Sequence, residues 1–329
     1  MELPKVAVIG CGNWGKNLVR NFAHLGALAV VCDSDSKQLE RLAQEFMGIR
    51  VTTSFDSVLE DKEVAAVVIA TPSDTHFALA KKSLLAGKHV YVEKPLARDV
   101  NECEELDSIA NQRNLVLMVG HLLLYHPAVN CLKEVIASGE LGELLFVRSD
   151  RMNFNRFRSH WSVLWDLAPH DLSMMSYLLD CEAPEVTRVG GWDTQGDNLV
   201  DVAYLDVSFP VEKGNRIIPG QVRNSWIDPQ KLVRLTVNGT KKTAVLNDTL
   251  FEDKLTLHSM TPEGRMIVET APYPDLEPLH LECEHFLQCV STGQRPRSDA
   301  NNAYHVVKVL SDVEARLSAR PRVQAGSRK

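Results

Sequence analysis

The chain has 329 residues, 44% hydrophobic and 24% charged, ordinary globular usage that excludes a fibrous or wholly disordered protein. With 36 Lys and Arg against 43 Asp and Glu the net charge is -7 and no basic stripe stands out, so nucleic acid is excluded as an expected partner. Seven cysteines without C-x-x-C spacing predict neither a disulfide framework nor a zinc ribbon, and no metal is expected.

At about 150 residues per domain the length suggests two domains. Strand and helix patterns alternate through residues 1–120: strand 5–9, helix 15–25 with Leu18, Val19 and Phe22 on one face, strand 28–32, helix 36–46, strand 64–70, helix 76–86 closed by Gly87, strand 88–92, helix 99–113 and strand 116–119. Such alternation predicts a doubly wound parallel sheet covered on both faces. From residue 121 the texture changes. A helix over 127–138, a strand over 144–151 and a helix beginning at Pro169 precede six alternating segments: 185–193, 199–209, 215–227, 231–238, 241–247 and 254–259. Consecutive strands predict a large, open, mostly antiparallel sheet, and two helices over 278–291 and 299–317 close the chain before a basic tail. The expected fold class is α/β, with domains 1–120 and 121–329. The broad sheet face, expected to be apolar, predicts a homodimer or homotetramer. The start of the chain lacks the regions of a signal peptide, and the longest apolar run, 115–129, is broken by Gly120, His121 and His126; a cytoplasmic protein is expected.

The first chemical signal is "VAVIGCGNWGKN", in which Gly10, Gly12 and Gly15 form G-x-G-x-x-G between a strand and a helix, with Asn13 and Trp14 in the loop. Bare backbone there lets a pyrophosphate approach a helix N-terminus. Asp33 follows the next strand, with Ser34 beside it, and a carboxylate at that place accepts from ribose hydroxyls and repels a 2′-phosphate; NAD is the expected cofactor. An ordinary glycine turn is the competing reading. "ATPSDTH" places Thr71, Pro72 and His76 at the end of a central strand, where ligands of doubly wound sheets sit; a plain helix-capping turn accounts for the same residues. "VEKPLARD" puts Glu93 and Lys94 at the same sheet edge, and Pro95 restricts Lys94 to extended geometry, with a cis bond as one option. A lysine there can stabilise an alkoxide while Glu93 holds backbone or cofactor groups; a surface ion pair is the alternative.

In the second half, "HWSVLWDLAPHDLSMM" carries Trp165, Asp166, Pro169 and His170. Proline is expected in the first turn, which would place His170 there, where the helix dipole disfavours imidazolium and favours a proton acceptor. Asp166, four residues earlier, is within range to orient that ring; simple capping and core packing compete. Arg148, Arg151, Arg156 and Arg158 cluster just before this helix and suit a diphosphate, against a solvated or subunit-facing loop. In "HLECEH", His280 and His285 do not share a helix face, so a metal site is discounted. Tyr125 and His126 fit either a substrate approach or packing.

The glycine motif, "EKP" at 93–95 and Asp-x-x-x-His at 166–170, in this order, resemble the Gfo/Idh/MocA family of oxidoreductases over essentially the whole chain. The resemblance implies a Rossmann domain followed by an α/β domain on a large open sheet, NAD as cofactor, Lys94 and His170 as the catalytic pair and Asp166 as supporting acid. "GCGNWGKNLVRNF", "HLLLYHPAV", "LWDLAPHDLS" and "EPLHLECEHFLQCV" are most similar to the branch oxidising nucleotide-activated amino sugars such as UDP-N-acetylglucosamine. That branch implies a 3-keto product passed to an aminotransferase in cell-envelope glycan synthesis. Where it carries a glycine, an acid and an asparagine, this chain has Asn155, His160 and Ser162, which leaves the sugar open. Trp165, Arg151, Arg156 and Arg158 are expected at the substrate, together with Lys94, Asp166 and His170. Oxidation of a free polyol such as inositol, and a non-catalytic NAD-sensing regulator, are the alternatives.

Overall fold

The computed structural model describes residues 3–154, 161–181, 183–196, 198–211 and 216–318. Two compact units emerge, one from Met1–Tyr125 with Leu276–Val307, the other from His126–Asp275 with Lys308–Lys329. The first strand-helix series therefore does not stand alone, as the expected division at residue 121 would have it. The segment Leu276–Val307 returns to it.

In the first unit the elements run β1 (Val6–Ile9), α1 (Gly15–His24), β2 (Leu28–Cys32), α2 (Ser36–Glu45), β3 (Arg50–Thr52), α3 (Phe55–Glu60), β4 (Ala66–Ile69), α4 (His76–Leu85), β5 (His89–Glu93), α5 (Val100–Gln112) and β6 (Leu117–Gly120). Their sheet has six strands in the order β3-β2-β1-β4-β5-β6, all pairs parallel. Strands β1, β4 and β6 are buried at every residue, as expected where helices cover both faces. Helix starts follow side-chain chemistry: Asp35, Ser54 and Asp99 each accept from a backbone amide of the first turn of α2, α3 and α5. Strand β3 and helix α3, with three and six residues, are too short to produce a periodic signal and were not expected.

The second unit contains α6 (Pro127–Ala137), β7 (Leu144–Phe154), α7 (Val163–Leu179), β8 (Glu185–Trp192), β9 (Val202–Val211), β10 (Arg216–Ser225), β11 (Ile227–Gly239), β12 (Thr243–Asn247), β13 (Leu255–Met260) and β14 (Met266–Thr270). The eight strands lie in the order β14-β13-β12-β11-β7-β10-β9-β8, antiparallel except for β10 against β7. Helix α8 (Pro278–Thr292) belongs to the first unit, and the division falls inside α9 (Ala300–Ser318). Among the described residues no helix is long and apolar enough to cross a membrane.

Two expectations for the second unit are corrected. Helix α7 begins at Val163, six residues before Pro169, because the apolar run 163–168 is almost wholly buried and tertiary packing outweighs the roughly 3 kcal/mol cost of an internal proline. The sheet face turned away from α7 is not uniformly apolar, because it carries a charged cluster: Asp150, 1% exposed, lies among Arg148, Arg223 and Arg234 at 3.1, 3.2 and 3.8 Å.

Candidate active site

The turn after β1 is tight enough to dictate its glycines. Gly10 has φ +85°, and a Cβ there would lie 2.8 Å from the Thr71 backbone nitrogen; a Cβ on Gly15 would lie 2.0 Å from the Gly10 carbonyl oxygen. Nothing stands within 4 Å of a Cβ on Gly12, which leaves its backbone open to a ligand. Beyond β2, the Asp33 carboxylate accepts from the Cys11 amide at 2.6 Å and the Asp35 amide at 2.9 Å, which fixes it beside the glycine turn, with exposed Ser34 next to it. These residues fit a dinucleotide: a bare turn at a helix N-terminus and an oriented carboxylate at the next strand end.

Four parallel strands, β1, β4, β5 and β6, end at this edge. After β4, the Thr71 and Thr75 hydroxyls share a 2.6 Å hydrogen bond. His76, expected against the cofactor, is only 1% exposed, and its ring spans the Pro95 carbonyl at 2.7 Å and the Thr71 carbonyl at 2.9 Å. It ties the two turns together from within. Burial pushes its pKa down, the two carbonyls oppose this, and the Lys94 charge adds to the fall. At the end of β5, Glu93 accepts from the Trp14 indole at 2.5 Å, the Lys94 amide at 3.2 Å and the Tyr91 hydroxyl at 3.3 Å. Trp14 thus closes the glycine loop onto the strand that carries Lys94. Burial raises the Glu93 pKa, opposed by the indole and by Lys94. The Lys94–Pro95 peptide is cis.

Three groups at this edge went unassigned in the sequence. His121, directly after β6, is 2% exposed and bonds Asn302 at 2.6 Å; burial, with the Lys94 charge assisting, takes it down to about 4. The Lys94 charge, after burial, adds to the lowering of both His76 and His121. Tyr91 is fully buried. His121 could have been found from the strand-end rule alone, whereas Tyr91 and Asn302 carry no sequence signal.

In the second unit, α7 is buried at every residue except Asp166, His170 and Tyr177. Their spacing of four and seven marks a single stripe, so Asp166 and His170 stand one above the other on the accessible face. Asp166, rather than His170, occupies the first turn, so the dipole argument for a neutral His170 no longer applies. Trp165 is 2% exposed and donates its indole N–H to Glu314 at 3.3 Å, off the stripe and against the expected substrate role. Asp171, fully buried, accepts from Ser149, Arg151 and Asn224 at 2.8, 3.0 and 2.9 Å. Arg151 is therefore engaged with a buried carboxylate, and Arg148, three positions earlier in the strand, projects from the opposite face. The arginine cluster divides; Arg156 and Arg158, like Asn155 and His160, lie outside the described residues. Among the described residues no group of three His, Cys, Asp or Glu could hold a metal; His285 instead meets Cys289 at 3.4 Å.

Residues 4–121 match the model of the oxidoreductase family with an NAD-binding Rossmann fold, and residues 129–245 match the GFO/IDH/MocA C-terminal domain. UDP-N-acetylglucosamine 3-dehydrogenase from Acidithiobacillus ferrooxidans is 34% identical over 187 residues, 56% of this chain and 58% of that protein, so the sequence match spans little more than half of the relative. Its solved structure superposes with a TM-score of 0.81 at 25% identity, covering 96% of this chain and 98% of that one. The scyllo-inositol 2-dehydrogenase (NAD(+)) of Bacillus subtilis is 28% identical over 89% of this chain and 87% of its own. A 3-ketoreductase from Actinomadura kijaniata in complex with TDP-benzene and NADP, 18% identical, shares the fold with a TM-score of 0.80 over 95% of this chain and 98% of that one. With both halves matched in order, the chain belongs to the Gfo/Idh/MocA family of oxidoreductases.

Proposed function

We propose that the protein oxidises a secondary hydroxyl, at C3, of a nucleotide-activated amino sugar such as UDP-N-acetylglucosamine, with NAD as the oxidant. The observation that carries the chemistry is the pair Asp166 and His170, which with Tyr177 form the accessible stripe of an otherwise buried helix. Bound NAD supplies the hydride acceptor. His170 takes the hydroxyl proton, Asp166 orients the ring from one turn away, and Lys94 stabilises the developing alkoxide as a fixed positive charge. Thr71, Pro72 and Glu93 shape the cofactor edge, with Asn13 and Trp14 in the glycine loop. Asp33 favours NAD over NADP by repelling a 2′-phosphate. The 3-keto product is a carbonyl ready for an aminotransferase.

The test is incubation with UDP-N-acetylglucosamine and NAD, with and without an aminotransferase, and mass spectrometry of the product. Lys94→Ala and His170→Ala are expected to lower turnover by about 10²- to 10⁴-fold, the range of a positioned acid or base, while NADH affinity stays within a few-fold. Strong loss of NADH binding in either variant would reassign the roles.

A second reading, oxidation of a free polyol, is favoured by one observation: Arg151 is tied to Asp171, and Arg148 projects from the other sheet face, so neither is committed to a diphosphate. Binding of UDP alone, measured by calorimetry, separates the two. Absence of NADH formation across nucleotide sugars and polyols would instead support a cofactor-sensing regulator.

A further inference from the structure

Glu282 is a buried charge-capable group that the proposed chemistry does not use. It lies on α8 and is 0% exposed, and among the described residues neither carboxyl oxygen has a hydrogen bond of good geometry. The Tyr91 hydroxyl reaches it without alignment, being aimed at Glu93. Phe286, one helical turn on, packs edge-on against Tyr91 at 5.7 Å and fixes that face of α8 on the strand. A Cβ on Gly120 would lie 2.9 Å from both the Glu93 Oε2 and the Tyr91 hydroxyl, so β6 leaves room for this group.

Two carboxylates around one tyrosine cannot both be ionised away from water. Glu93 has the Trp14 N–H, the Lys94 N–H, the Tyr91 hydroxyl and the Lys94 charge to support an anion; Glu282 has none of these aligned on it. We propose that Glu282 is a positioning residue of the cofactor loop: held as the neutral acid, it donates to the Tyr91 oxygen, Tyr91 donates to Glu93, and Glu93 keeps its other capacity for the Trp14 indole. The direction of titration agrees, since burial first, and Glu93 second, drive the Glu282 pKa up. The titratable groups facing it are Tyr91 and Glu93 from β5, Tyr125 after β6 and Cys283 on its own helix. This inference rests on the dinucleotide reading of the glycine loop and is independent of the sugar.

The test uses the whole chain with NADH and no substrate. Infrared spectroscopy of the ligand-free protein is expected to show a protonated-carboxyl band that disappears in Glu282→Gln. Glu282→Leu, which removes the donor, is expected to weaken NADH binding about tenfold, the loss of one hydrogen bond of ~1.4 kcal/mol. Glu282→Gln, which keeps a donor of the same shape, is expected to recover most of it. Wild-type affinity falls on the alkaline side as Glu282 ionises, and the Gln variant lacks that fall. The absence of the infrared band, equal damage by Gln and Leu, or superimposable pH profiles would overturn the proposal. Should the Leu variant not fold, the band and the Gln profile still decide. Absence of NADH binding in the wild type would sink the dinucleotide reading itself, a separate outcome.

Discussion

At the scale of single residues, the cofactor edge is governed by close approaches. The Gly15 position tolerates no side chain, since a Cβ would lie 2.0 Å from a backbone oxygen of the same turn. Gly15→Ala is expected to shift the midpoint of urea unfolding downward and to abolish NADH binding. Gly120→Ala is gentler, because it meets side-chain atoms of Glu93 and Tyr91 at 2.9 Å rather than backbone; a loss of roughly 1 to 2 kcal/mol in NADH affinity by calorimetry is expected, with the fold retained. Lys94 also leaves a mark that can be read without turnover. Burial dominates the depression of His121, and the ammonium adds to it. Lys94→Gln should therefore move the His121 titration upward in an NMR experiment, and an unchanged value would place the ammonium elsewhere.

At the scale of elements, the glycine loop, the strand ends bearing Thr71 and Glu93, and the open antiparallel sheet were all legible, because period, turn chemistry and order in the chain are local. The start of α7 was not. The run 163–168 before Pro169 shows no clear amphipathic period, since all of it but Asp166 is buried, and proline misleads when packing around most of the helix holds it in place. Likewise the arginines between 148 and 158 look like one cluster in the sequence, yet strand alternation sends Arg148 and Arg151 to opposite faces. The pairing of Arg151 with Asp171 could not be read from spacing, because it joins β7 to a helix twenty residues away, with Asn224 completing it from β10. This buried network anchors the helix that carries His170. Asp171→Ala is expected to cost about 3 to 5 kcal/mol in chemical unfolding, mostly from the stranded Arg151 guanidinium.

At the scale of the whole molecule, the two units respond to acid in different windows. In the first, His76, His89, His121 and His285 all have pKa values lowered chiefly by burial, His121 to about 4. A histidine with a lowered folded value contributes stability that is present above its unfolded range and lost as pH falls through the folded value, so these histidines weaken the unit from about pH 6.5 down to about 4, by roughly 3 kcal/mol for His121 alone, while the raised Glu93 and Glu282 carboxyls act in the opposite sense as pH falls. In the second unit burial opposes, but His126 and Lys254 prevail and bring Asp248 down to about 2. Its contribution persists until pH falls below the ordinary carboxylate range. Hydrogen exchange across an acid series should therefore show the amides around His121 losing protection at higher pH than those around Asp248; simultaneous loss would contradict these assignments.

The return of Leu276–Val307 to the first unit has a further bearing on how the protein is made. Phe286 packs edge-on against both Phe22 and Tyr91, Glu277 bonds Arg20 and Asn21, and the Val119 amide donates to the Ser298 carbonyl. A nascent chain leaving the ribosome presents every strand of the parallel sheet long before these partners emerge. The first half then waits with two aromatic rings uncovered while residues 126–275 are translated, so the unit begun first is completed only after most of the other has emerged, and release of a chain broken off before α8 hands chaperones an incomplete Rossmann fold.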